Sequence, residues 1–287
     1  MMNEPPPARP GRRPRLTRRG RLVLIVTATL VVAAVVLVPV LLLTGGNSGT
    51  STQEAPTTLV IPEGRRASQV YATVDQALGV PAGAARKAAL TARLKLPQAA
   101  GGNPEGYLFP ATYPVLSSTT PAALLSYMVN TANERFGADR IIDGAKRNGV
   151  TVYQTVTIAS IVQAEADTAA DMGKVARVVH NRLALGMPLQ MDSTLNYALN
   201  RSTLDTTQAD TKTDSPYNTY ERKGLPPTPI GNPGEQAMNA AINPPSGEWL
   251  YFVTVAPGDT RFTNSYAEHE KNVQEFNEKR GSASDAG

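Results

Sequence analysis

The segment from Leu22 to Leu43 constrains the chain more than any other, because it is apolar apart from Thr27 and Thr29 and is broken only by Pro39. Twenty-two residues of helix at about 1.5 Å each reach roughly 33 Å, enough for a hydrocarbon core of about 30 Å. A cleaved signal peptide would have a shorter apolar stretch, about 7–15 residues, with a small-residue cleavage site after it. Here Leu41, Leu42 and Leu43 run through Thr44 into Gly45 and Gly46. The sequence therefore predicts an uncleaved transmembrane helix at 22–44. Arg9, Arg12, Arg13, Arg15, Arg18, Arg19 and Arg21 precede it, against the single acid Glu4. Such an arginine-rich tail, 1–21, belongs on the cytoplasmic side and sends the rest of the chain outside.

This charge is local. The tail carries +6 and the whole chain +4, so residues 22–287 carry −2. The outer part has no basic excess, which argues against a nucleic-acid partner. The absence of cysteine excludes disulfides, zinc thiolates and cysteine nucleophiles. Two histidines, His180 and His269, exclude a three-histidine metal centre.

Residues 45–57, rich in Gly, Ser, Thr and Gln, read as a flexible linker. A β-prone run at 58–61 stops at Pro62, and helices are expected at 69–78 and 83–94. These define a small subdomain, 58–103, closed by Gly101-Gly102-Asn103-Pro104. A larger domain, 104–281, follows, and 282–287 reads as a disordered tail. Helices are expected at 121–136, 152–166, 171–185 and 266–279. Strands at 250–255 and 261–264 flank a turn at 257–259. Residues 200–247 are mostly loop by composition, and a stretch so long is functional or disordered. The fold class is α+β.

The sharpest chemical signal lies in the helix at 152–166. Ile158, Ile161, Val162 and Glu165 fall on one face, so the glutamate projects from an otherwise apolar stripe. Desolvation would raise its pKa toward the range a general acid needs. The alternative is a solvated glutamate just past the end of the stripe. Asp192 is a candidate second carboxylate or the N-cap of a helix beginning at Ser193. Tyr217-Asn218-Thr219-Tyr220 is either a sugar-lining cluster or an ordinary turn. His180, within an apolar pattern, reads as a packing or hydrogen-bonding residue, and His269, in a polar helix, as exposed. No G-x-S-x-G motif surrounds any serine.

Taken in order, several segments resemble the membrane-anchored endolytic murein transglycosylases, the YceG-like family. They are Glu105-Gly106-Tyr107-Leu108-Phe109-Pro110-Ala111-Thr112-Tyr113, Ala159 to Glu165, Asn181-Arg182-Leu183 with Gly186 to Asp192, and Tyr217 to Tyr220. Gly224-Leu225-Pro226-Pro227, Asn232-Pro233-Gly234, Ala241 to Pro244 and Tyr251-Phe252-Val253 complete the series. The chain departs from the family pattern at Gln163 and Ala111, where acids are common, and at Ser193, where proline is common.

The resemblance implies a lytic transglycosylase that cleaves the bond between N-acetylmuramic acid and N-acetylglucosamine, leaves 1,6-anhydro ends and terminates nascent strands. It makes Glu165 the catalytic residue and implies no metal or organic cofactor. Gln190, Asp192, Asn218 and Tyr220 are the candidate sugar contacts, because amide, carboxylate and phenol groups bind hydroxyl and acetamido groups. It implies a LysM-like character for 58–103, peptidoglycan strands and the plasma membrane as partners, and association with penicillin-binding proteins. Two other readings stand beside it: a non-catalytic glycan-binding scaffold of the cell-wall machinery, and a hydrolytic muramidase with Asp192 as partner carboxylate.

Overall fold

The computed structural model describes residues 57–201 and 206–284. The expected tail, membrane span and most of the linker lie outside these residues. No helix among the described residues is long and apolar enough to cross a membrane. The described fold is α+β, with nine α-helices and two small sheets among the described residues.

Strand β1 (Thr57–Val60) leads into α1 (Ala67–Ala77) and α2 (Ala84–Thr91). Strand β2 (Thr112–Val115) then returns antiparallel to β1, with Leu59 opposite Tyr113. The partner of β1 therefore comes from the aromatic run beyond Asn103, not from within 58–103. This run is core material: Tyr107, Leu108 and Phe109 are all buried. Tyr107 and Phe109 each pack edge-on against Phe136, with ring centres 5.5 and 5.9 Å away. The buried residues of β1 and α1 belong to the same hydrophobic cluster as those of the later helices.

Helix α3 (Pro121–Phe136) starts at a Thr120 cap with proline in its first turn and buries Leu124, Leu125, Met128 and Val129. Helix α4 (Asp139–Arg147) was not expected. Its nine residues are mostly charged and bury only Ile141, Gly144 and Ala145, too short a stripe to register as periodicity. Helix α5 (Val152–Glu165) opens with a reciprocal capping box between Thr151 and Gln154. It is followed by α6 (Ala169–Ala184) and α7 (Asp192–Ala198).

Within the stretch read as mostly loop lies α8 (Glu235–Ile242), which packs against α4, α5 and α6. Its eight residues, framed by proline and glycine, gave little helical signal, yet five of them are buried. Gly144 lets α4 and α8 approach: a Cβ there would stand 2.5 Å from Ile242 Cβ. The hairpin of β3 (Tyr251–Ala256) and β4 (Asp259–Thr263) has Phe252 opposite Phe262, and α9 (Tyr266–Ser284) packs on it. Helix α9 thus runs into the segment expected to be irregular. His269 is half-buried, its ring stacked on Tyr251 with centres 5.1 Å apart, because this face of the polar helix covers the hairpin.

Candidate active site

Helix α5 sits at the centre of the fold. Every residue from Thr155 to Val162 is buried, so this is a helix enclosed on all sides rather than an amphipathic one. The apolar stripe expected from Ile158, Ile161 and Val162 is real, but the opposite face is covered as well, by α8 and the loop before it. Ser160 shows how: its hydroxyl accepts from Ile230 N–H at 3.0 Å and donates to Thr157 O at 2.7 Å. Glu165 is the last residue of α5. It lies where the enclosed helix emerges, half-buried rather than fully solvated.

Burial pushes the Glu165 carboxyl above the ordinary carboxylate range, and the charge of Asp192 adds to the rise. The Ser193 hydroxyl and backbone N–H act against it. Ser193 N–H donates to Oε1 at 3.3 Å. The Ser193 hydroxyl is buried beside the carboxylate without a partner in strict hydrogen-bonding geometry.

Gln163, two residues earlier, has a different task. Its Oε1 accepts from Gly234 N–H at 3.0 Å, tying α5 to the loop that enters α8. An uncharged amide serves there, and Glu165 is left as the sole carboxylate in the last turn of α5.

Asp192 opens α7 but does not cap it, since the N-cap position is Met191. Its Oδ1 instead accepts from Tyr220 O–H at 2.5 Å. Burial and this contact with Asp192 push the Tyr220 phenol upward, so it stays a donor. Thr219 holds the two segments in register. Its carbonyl accepts from Gln190 N–H at 2.9 Å, and its hydroxyl accepts from Met191 N–H at 3.0 Å. Thr194 completes the link, 2.9 Å from Thr219 Oγ1. Gln190 is exposed and takes a left-handed backbone, φ 51°, uncommon for a residue with a side chain. Arg182 supports this turn from beneath, donating to Leu250 O at 2.6 Å and Leu189 O at 2.7 Å and reaching Gln190 Oε1 at 3.3 Å.

The structure thus gathers Glu165, Asp192 and Tyr220 around Ser193, with Gln190 at the adjoining turn. Asn218 does not join them. It is fully buried, and its amide donates to Thr211 O and Thr213 O at 2.9 and 2.8 Å. Its Oδ1 accepts from Tyr220 N–H at 3.0 Å. With every polar atom committed inside the loop, Asn218 shapes the segment bearing Tyr220 and offers nothing to a ligand. His180 lies 3.0 Å from Ala241 O, the hydrogen-bonding role expected of it. Among the described residues no three His, Asp or Glu side chains group to hold a metal ion.

A second perturbed carboxyl went unread as a titrating group in the sequence. Glu105 is buried, and desolvation pushes its pKa up to about 7 despite its hydrogen bonds and the nearby Arg66 charge. Ala67 N–H donates to Oε1 at 2.8 Å and Tyr197 O–H to Oε2 at 3.0 Å. A carboxylate within an aromatic, turn-flanked run was the signal available for it. Both its oxygens are occupied, whereas Glu165 remains partly open.

The site and fold define a class: an α+β domain with one partly open, desolvated glutamate at the end of an enclosed helix, facing an aspartate–tyrosine pair. The chain belongs to the YceG-like family, whose model matches residues 41–275. It is 38% identical over 173 residues to a Bacillus subtilis protein named endolytic murein transglycosylase, covering 60% of this chain and 48% of that protein. A protein of the same name from Streptococcus pneumoniae serotype 2 is 32% identical over 256 residues, covering 79% of this chain and 46% of that one. The chain thus spans about half the length of these curated relatives. A crystal structure of a putative YceG-like protein from Listeria monocytogenes superposes with a TM-score of 0.69 at 31% identity, covering 76% of each chain.

Proposed function

We propose that this chain is an endolytic lytic transglycosylase that cuts peptidoglycan between N-acetylmuramic acid and N-acetylglucosamine and leaves 1,6-anhydro ends. The observation that carries the reading is Glu165: a carboxyl whose proton is favoured by burial, beside hydroxyl and carboxylate groups suited to a sugar. The names of the curated relatives support it. Glu165 gives its proton to the glycosidic oxygen, and the bond from that oxygen to C1 of the muramic residue breaks. The resulting carboxylate takes the proton of the muramic 6-hydroxyl, whose oxygen closes on C1. The proton count balances without water, and Glu165 ends the cycle protonated. A group acting as acid and then base works best with a pKa near the working pH. Asp192, Tyr220 and Gln190 are the sugar contacts in this reading, oriented by Thr219 and Arg182.

The rest of the assignment rests on sequence and on the order of elements. The apolar, arginine-flanked segment 22–44 anchors the chain in the plasma membrane with the N-terminus inside and the catalytic domain outside. The strand–helix–helix–strand order from β1 to β2 supports a LysM-like unit that binds glycan, closing at Val115 rather than at Asn103. Coupling to penicillin-binding proteins and termination of nascent strands complete the proposal.

Proximity of Asp192 to Glu165 favours one second reading, a muramidase with two working carboxylates. Mass spectrometry of fragments from uncrosslinked strands, incubated with the full chain and with its Glu165→Gln form, separates these. Anhydro ends from the first and none from the second support the transglycosylase. Reducing ends establish the muramidase, and no cleavage by folded protein establishes a binding or scaffold role.

A further inference from the structure

Helix α7 carries the residues that meet Glu165 at one end and a separate hydrogen-bonded cluster at the other. Ser193 and Tyr197 are four residues apart, so they lie on the same helical face, roughly 6 Å apart along the axis. Ser193 N–H donates to Glu165, while Tyr197 O–H donates to Glu105 Oε2 at 3.0 Å. Glu105 is held from the other side by Ala67 N–H, at the start of α1, and by Asn232 Nδ2 at 3.4 Å. Arg66 completes the clamp: its guanidinium lies 5.2 Å over the Tyr197 ring, and its Nη2 donates to Arg201 O, just past α7, at 2.7 Å. Tyr197 also packs on Tyr217, with ring centres 4.9 Å apart, and Tyr217 opens the segment that ends in Tyr220. Both supports of the Glu165 site, Ser193 and Tyr220, therefore lean on Tyr197.

We infer that Glu105 and Tyr197 are positioning residues that fix α7, and through it the Ser193 N–H, against the Glu165 carboxylate. The inference rests on the reading of Glu165 given above. Neither residue touches the sugar. They make the donor at Ser193 independent of the motions of a helix only seven residues long. The ionisable or charged groups facing Glu105 are Arg66 and Tyr197, with Tyr71 and Tyr153 nearby. Those facing Glu165 are Asp192 and Tyr220.

The test uses the full chain, solubilised in detergent, with uncrosslinked glycan strands, and compares wild type, Glu165→Gln, Tyr197→Phe and Glu105→Gln. Small displacements at a reacting group cost up to about a hundredfold, so kcat should fall about tenfold or more in the last two while KM stays within about twofold. Losing the Ser193 N–H disfavours the Glu165 carboxylate, so the alkaline limb of the rate profile should move to higher pH in both variants. A merely structural role would lower the folded fraction without moving that limb. Glu105→Gln adds a second safeguard, because it removes a desolvated charge and should be more stable above neutrality while turning over more slowly. Wild-type kcat and an unshifted limb in both variants, alongside an active wild type and an inactive Glu165→Gln, would overturn the inference and leave the reaction intact. An inactive wild type, or cutting by Glu165→Gln, would instead overturn the reaction and the inference with it.

Discussion

Replacing Glu105 by glutamine separates the stability of this fold from its activity, and the structure sets the size of the effect. The carboxyl is 3% exposed, and burial moves its pKa from 4.5 to about 7. The folded chain therefore holds the proton to higher pH than the unfolded chain does. Stability from this group is fully present below pH 4.5, falls as pH rises toward 7, and is level above it. A displacement from 4.5 to about 7 corresponds to about 3 kcal/mol. About 2.5 kcal/mol of that is lost between pH 5 and pH 8.

Glutamine keeps one partner and loosens the other: its carbonyl can accept from Ala67 N–H, but its amide cannot accept the Tyr197 hydroxyl proton, and that loss is the same at both pH values. The assay is urea unfolding at pH 5 and pH 8, followed by the fluorescence of the single tryptophan, Trp249. The comparison is run in a Glu165→Gln background, so the pH dependence of Glu165 itself drops out of the difference. The variant should gain about 2.5 kcal/mol on its parent between the two pH values. A difference that stays within about 0.5 kcal/mol would refute the reasoning, because it would mean that Arg66 and the hydrogen bonds fully compensate the buried charge.

Three other substitutions test separate parts of the structure. Gly144→Ala places a Cβ 2.5 Å from Ile242 Cβ and should cost about 1–3 kcal/mol in urea unfolding, with part of the loss restored by adding Ile242→Ala; a neutral result would deny the close approach of α4 and α8. Arg182→Lys cannot reproduce the fork that serves Leu250 O and Leu189 O, and it should destabilise by at least about 2 kcal/mol and lower strand cutting; wild-type urea midpoints would count against it. Tyr220→Phe removes the donor to Asp192 and should lower kcat/KM about tenfold, at a cost to stability of about 1 kcal/mol; unchanged kcat/KM with folded protein would remove Tyr220 from the proposed sugar contacts.

Much of the fold could be read from the sequence where structure is local. Helix α3 begins and ends at the expected residues because Thr120, Pro121 and Gly137 punctuate it and its apolar positions recur. The β3–β4 hairpin was announced by Pro257 and Gly258, the latter at φ 79°. Helices α4 and α8 stayed hidden because each is short and stabilised by contacts between distant segments rather than by its own pattern. The pairing of β1 with β2 spans more than fifty residues, and no local signal encodes it.

The site divides along the same line. Glu165 could be found because a charged residue interrupts an apolar helix, although the enclosure of that helix on both sides could not. Asp192 and Tyr220 were singled out as separate candidates, and their hydrogen bond across 28 residues emerges only with the fold. Asn218 misled because an amide suits a sugar and a loop carbonyl equally well, and only burial distinguishes the two uses. Glu105 lies in an aromatic motif that carries no local sign of its role. Its reason is tertiary: one oxygen takes the first N–H of α1 and the other fastens the end of α7, so one buried carboxyl joins the first helix of the fold to the helix that faces Glu165. A residue with such a role need have no signature of its own, because what it holds together lies some forty residues before it in the chain and about ninety after.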